Sequence, residues 1–264
     1  MIKAVAKAIE IMNTFSPSEP RLTLAEIARR RGLPKSTAHN LLSTLIAYGL
    51  VEKLEKDYYA LGTSIISLTQ SVRANVELRD RAAPLLRQLA DACRESVYLA
   101  ILDQDQSLYI YAIESPGRLL ARSVVGDRVP LHCTALGKAM LAALSDSEIE
   151  QVIATVGLPR YTPATITDPE ALWAEVQKTR ARGYSTDTAE HEENTYCIGA
   201  PILNERGRVI AACSISGPDP EIAGSKLSMW SQLVKNTAHE ISRRMGYVPI
   251  SISALVGITP ISST

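Results

Sequence analysis

The sequence predicts an α+β fold in two parts. An N-terminal winged helix-turn-helix is followed, through a linker helix, by a larger domain whose antiparallel sheet is flanked by helices. Three observations carry this expectation. Residues 22–61 show two short helical patterns split by a glycine turn and followed by an alternating hairpin. From Val97 onward, apolar runs of strand length alternate with polar turns as in a meander. Around them lie helices with clear start and stop signals. The 264 residues are long for one domain and comfortable for two.

Composition narrows the function classes. With 46% hydrophobic and 21% charged residues, the chain is neither wholly disordered nor fibrous. Its formal net charge is zero, so no overall field draws it to polyanions or membranes. Residues 1–62, however, carry nine basic against six acidic side chains, and the remainder carries the opposite balance. A small basic part joined to a mildly acidic one points to nucleic-acid contact at the N-terminal end. The four cysteines (Cys93, Cys133, Cys197, Cys213) form no C-x-x-C pair, so a reducing setting is expected. The opening segment is interrupted by Lys3, Lys7 and Glu10 and does not read as a signal peptide. No long uncharged apolar run suggests a membrane span before the uncharged tail at 248–264, which contains Pro249 and Pro260. A cytoplasmic protein without membrane contact is expected.

The elements follow in order. Val5, Ala8, Ile9 and Met12 fall at i, i+3, i+4, i+7 and predict a first amphipathic helix. Pro17 and Pro20 break the chain, and Thr23 with Glu26 forms a capping box that opens a second helix. Gly32, behind Arg29-Arg30-Arg31, stops it. Pro34, suited to a first helical position, opens a third helix running to Gly49. Ala38, Leu41, Leu42, Leu45 and Ile46 stripe one side of it; Ser36, His39, Asn40 and Ser43 occupy the other. Two helices around a turn of three or four residues place the second to enter a major groove. Lys35, Ser36, Thr37, His39 and Asn40 then supply donors at its start, whose positive end also favours phosphate. Residues 50–54 and 58–61 around Lys56-Asp57 read as a wing. A protein-contact module of three helices and a hairpin would show the same pattern.

Ile65, Leu68, Val72 and Val76 continue a helical stripe, and Leu85, Leu86, Leu89 and Ala92 form another after Pro84. Such a connector packs either on a second subunit or on its own chain. Strands are expected at Val97–Leu102, Leu108–Ile113 and Leu119–Val125. Helices are expected from Thr134 to Leu144, from the Ser145–Glu148 capping box, and from Asp168-Pro169 to Gly183. A hairpin of Cys197–Leu203 and Val209–Ser216 and a final helix over Ser225–Met245 complete the chain.

The segment LTLAEIARRRGLPKSTAHNLLSTLIAYGLVEK followed by YYALG resembles the DNA-binding half of the IclR family of bacterial transcriptional regulators. The stretches GDRVPLHCTALGKAMLA, ITDPEALWAEVQKTRARGYSTD, CIGAPI and SISGP resemble that family's effector-binding half. The likeness covers about Ala4 to Tyr247. It implies a winged helix-turn-helix (1–62), a linker helix (63–80) and a GAF-like effector-binding, oligomerising domain (81–247). The implied partners are double-stranded DNA at a palindromic or near-palindromic operator, a small organic or aromatic acid, and further copies of the chain as a homodimer or pair of dimers; no cofactor is implied. The DNA-binding set is Thr23, Lys35, Ser36, Thr37, His39, Asn40 and Ser43, with Lys53 and Lys56 of the wing. The effector set is Val129, Ala135, Leu136, Asp187, Thr195, Cys197, Ser214 and Ser216. Asn40 stands where the family usually has Arg; it can read adenine or bind phosphate as a neutral donor, which lowers the salt dependence. The loop HEENTYC carries Asn194 near a position where the family commonly has Gly.

The residues also admit other chemistry. Ser214 and Ser216, two apart on a strand, share a face that Ile215 does not, yet they can equally serve as strand-end hydroxyls. Cys133 or Cys197 with His132 or His191 as base is an enzyme reading, without an orienting third group. His132, Cys133, Asp187, Glu190 and His191 are competent zinc ligands, without finger spacing.

Overall fold

The computed structural model describes residues 1–72, 74–115 and 124–248. The chain divides into two compact units, Met1–Val76 and Glu77–Thr264.

In the first unit, α1 (Lys3–Met12), α2 (Leu24–Arg30) and α3 (Lys35–Ala47) enclose a core of Ile11, Phe15, Leu22, Ile27, Leu42, Leu45, Val51 and Tyr59. The stripe of α1 that packs is Ala8, Ile11 and Met12, continued by Phe15; Val5 and Ile9, expected inside, are exposed. Both stripes have helical spacing, and the one ending in Ile11 and Phe15 carries the bulk that fills the space against α3. The capping box of α2 forms as expected: the Glu26 amide donates to the Thr23 hydroxyl, and the Thr23 amide to the Glu26 carboxylate at 2.8 Å. Gly32 adopts φ +60°, a left-handed turn that suits a residue without Cβ, and α3 follows within four residues. Pro34 is the N-cap of α3 and Lys35 its first helical residue, one position later than expected. The hairpin β2 (Val51–Lys53) and β3 (Tyr58–Leu61) is joined on its other side by β1 (Leu22–Thr23), a two-residue strand too short to announce itself.

The connector is not one helix. α4 (Ser64–Gln70) ends where the Ser71 and Val72 amides tighten onto the Leu68 and Thr69 carbonyls; a π-helical turn at Ala74–Arg79 leads into α5 (Asp80–Cys93). α5 therefore begins before Pro84 rather than after it. Its buried positions are Ala82, Ala83, Leu86, Leu89 and Cys93, whereas Ala92 is exposed.

The second unit is built on a six-stranded antiparallel sheet. Its members are β4 (Ser96–Asp103), β5 (Gln106–Ile113), β6 (Arg128–Pro130), β7 (Ser185–Thr188), β8 (Tyr196–Leu203) and β9 (Val209–Gly217), in the order β6-β5-β4-β9-β8-β7. α6 (Ala135–Ala142), α7 (Asp146–Val156) and α8 (Pro169–Arg182) pack with Tyr98, Ala100 and Ala212 of the sheet in one apolar cluster. α5 packs on α9 (Leu227–Arg244), and α9 lies on β8 and β9. Thus α5 packs within its own unit. The expected strand Leu119–Val125 lies outside the described residues up to 123; Val124 and Val125 enter a turn closed from the Asp127 amide to the Val124 carbonyl at 3.0 Å. The uncharged tail likewise lies outside the described residues beyond Val248. Edge strands β6 and β7 were not foreseen.

Candidate functional sites

α3 turns Ala38, Leu42 and Leu45 inward and leaves Lys35, Ser36, His39, Asn40 and Ser43 exposed, with Thr37 half-buried. Its first turn has no side-chain cap, so amides at its positive end face outward beside Lys35. The Ser43 hydroxyl donates to the His39 carbonyl at 2.9 Å but keeps acceptor capacity. Thr23 stands apart from this face in role: its hydroxyl is held in the capping box, where it donates to Glu26 at 2.8 Å. In the wing, Lys53 pairs with Asp57 at 2.7 Å, and Lys56 sits exposed at the tip with φ +59°.

The second unit holds a cavity of about 60 Å³ between the N-terminus of α6 and the end of the sheet. Register builds its floor. Asp187 of β7 pairs with Cys197 of β8, and Cys197 with Ser216 of β9, so the three form one row across three strands. Ser214 pairs with Tyr98 on one side and Gly199 on the other, one step along the same face. Gly199 lets the helix come close, since a Cβ there would lie 2.6 Å from the Ala135 carbonyl oxygen. The Ser185 hydroxyl donates to that same carbonyl at 2.5 Å. Thr134 caps α6 by accepting from the Gly137 amide at 3.1 Å, which leaves the amides of Ala135 and Leu136 at the cavity wall.

Seven of the eight expected effector residues line this cavity: Ala135, Leu136, Asp187, Thr195, Cys197, Ser214 and Ser216. Val129 does not; it belongs to β6 and pairs with Ser107 on the far side of the sheet order. Tyr98, Tyr109, Val124, Thr134, His191 and Glu192 complete the lining. Tyr98 and Tyr109 meet edge to face at 5.4 Å, a contact between neighbouring strands that no local signal reports. Asn194 adopts φ +56°, a conformation that glycine takes freely and that Asn tolerates better than most side chains.

Beneath the cavity, Lys138 of α6 pairs with Glu190 at 2.5 Å, both buried. The Glu190 amide donates to Asp187 Oδ1 at 2.8 Å. Burial, with the Glu190 charge adding to it, pushes the Asp187 carboxyl up to about 7. Burial also holds His132 and His191 below the usual imidazole range. The zinc reading fails on this geometry: Glu190 is taken by Lys138, and among the described residues no three His, Cys, Asp or Glu side chains are placed to hold a metal ion. The Cys133 thiol, fully buried, is pushed up to about 12, so it is not an activated nucleophile, and His132 donates from Nε2 to the Pro159 carbonyl. Cys197 donates to the Ser216 hydroxyl at 3.1 Å.

Two family models match the chain: the IclR helix-turn-helix domain over residues 4–55 and the bacterial transcriptional regulator IclR C-terminal domain over residues 70–243. The chain belongs to the IclR family. Its type is that of a transcriptional regulator with a DNA-binding helix-turn-helix and an effector-binding C-terminal domain. A curated relative, the HTH-type transcriptional regulator XynR of Escherichia coli K12, is 31% identical over 94% of this chain and 98% of its own. The Thermotoga maritima IclR crystal structure matches with a TM-score of 0.78 and 31% identity, covering 94% of this chain and all of that one. An IclR homolog from Microbacterium hydrocarbonoxydans, solved with 4-hydroxybenzoate, matches with a TM-score of 0.83 and 27% identity, covering 92% and 98%. These IclR relatives are named as regulators rather than enzymes. Among the described residues of this IclR-family chain, no helix is long and apolar enough to cross a membrane.

Proposed function

We propose that this chain is a ligand-responsive transcription factor whose operator affinity is set by a small organic acid bound in the α6 cavity. The hydrophilic face of α3 carries the reading: Lys35, Ser36, His39 and Asn40 stand exposed on a helix whose first-turn amides are uncapped. Lys35 and the amides take phosphate, His39 and Asn40 reach base edges, and Ser36, Thr37, Ser43, Lys53 and Lys56 add backbone contacts. Thr23 acts by holding α2 in place.

The acid's carboxylate seats on the Ala135 and Leu136 amides, with Thr195, Ser214, Ser216 and Cys197 around it. A cavity of about 60 Å³ suits a small acid. The chain works as a homodimer or a pair of dimers. Leu68 and Val72 near the end of the first unit are exposed, as are Val5 and Ile9 of α1, and a second copy would cover them. The ligand acts by preferring one spacing of the two α3 helices, so the operator is palindromic or nearly so.

The test is a mobility shift of DNA flanking the gene, titrated with small carboxylic acids. A retarded complex whose midpoint moves with one acid is expected. Failure to retard any flanking fragment overturns the reading.

A further inference from the structure

We propose that the cavity takes its ligand as an anion together with one proton, and that Asp187 carries that proton. This rests on the reading of the cavity as the effector site. The Ala135 and Leu136 amides, which open α6 at the cavity wall, ask for negative charge. Asp187, only 2% exposed, lines the same space. A carboxylate bound in a cavity that Asp187 itself lines adds a like charge beside it, and like charges oppose each other's ionisation. Lys138 offsets part of this, but its ion pair is with Glu190 at 2.5 Å, and among the described residues Asp187 has no ion-pair partner of its own. Its contacts are the Glu190 and His191 amides. An ionised Asp187 would therefore face Glu190 on one side and the ligand on the other.

A neutral Asp187 removes both repulsions and turns its hydroxyl into a donor that the ligand can accept. The protein is poised for this exchange, since burial already holds the carboxyl at about 7 before any anion arrives. The groups that face Asp187 from each side do not replace it. His191 of its own loop stays neutral above its lowered range, Cys133 before α6 titrates at about 12, and Lys138 and Glu190 hold each other.

Isothermal calorimetry on the full chain tests the proposal, with acetate, pyruvate and 4-hydroxybenzoate as probes between pH 6.5 and 8.0. For the probe that binds at pH 6.5, affinity should fall about eightfold by pH 8.0 as Asp187 ionises. Titrations at pH 8.0 in phosphate and in Tris should show uptake of close to one proton per ligand. Asp187→Asn should abolish the pH dependence, and where that variant does not fold, the two-buffer measurement on the natural chain decides. Binding with constant affinity and no proton uptake overturns this proposal and leaves the effector reading standing. A slope that persists in Asp187→Asn also overturns it. Binding of none of the probes at pH 6.5 overturns the effector reading, and this proposal with it.

Discussion

Replacing Lys138 by Met removes a charge from inside the second unit while keeping an unbranched stem of similar length on α6. Lys138 Nζ lies 2.5 Å from Glu190 Oε1, with side-chain exposures of 1% and 10%. At that distance the gross attraction is about 7 kcal/mol for an effective dielectric of about 20. Desolvation of the two ions offsets much of it, and removing one partner of such a pair costs about 3–5 kcal/mol. The stranded Glu190 has one oxygen already without a partner. Urea unfolding followed by tryptophan fluorescence measures the loss, because Trp173 and Trp230, the two tryptophans of the chain, both lie in the second unit. Lys138→Met with Glu190→Leu should recover most of the loss. A loss below about 1 kcal/mol at pH 7.5 would refute the reasoning.

The other expectations concern separate parts of the molecule. Lys35→Ala with His39→Ala should abolish operator binding in a footprint while moving the unfolding midpoint by no more than about a degree or two, since both side chains are exposed; a normal footprint would show the reading face to be misassigned. Ser214→Ala with Ser216→Ala should remove the thermal stabilisation given by the acid that shifts the operator complex, and an unchanged response would move the ligand elsewhere. Asp187→Asn should be more stable than the natural chain at pH 8. The raised carboxyl penalises the folded state as pH climbs from the unfolded value near 3.8 to about 7, a loss of about 4 kcal/mol that is absent below the lower value and complete above the upper. Equal stabilities at pH 8 would show that Asp187 ionises without cost.

Much of the fold could be read from local grammar. The capping boxes at Thr23–Glu26 and Ser145–Glu148 form as expected, as does the helix from Asp168-Pro169 to the left-handed Gly183, because each signal and its effect lie within one turn. The polar face of α3 was legible for a related reason: helical period alone separates Lys35, His39 and Asn40 from Leu42 and Leu45. On α1 the same period allowed two stripes, and only the presence of α3 chose the one through Ile11.

The effector residues were placed by family resemblance, and what defines their site is not local. Asp187, Cys197 and Ser216 meet because two strand pairings, β7 with β8 and β8 with β9, set their register, and β7 is a four-residue strand that exists only against β8. Lys138 finds Glu190 across 52 residues of sequence, and Tyr98 reaches the cavity through its pairing with Ser214. Sequence by itself thus determined the elements, their caps and the outward face of α3, since backbone geometry and side-chain period act over a few residues. Tertiary structure alone decided which strands neighbour one another, which carboxyl is shut away from water, and how narrow the space beside it is. Burial and register are properties of the assembled sheet and helices, and no single segment contains them.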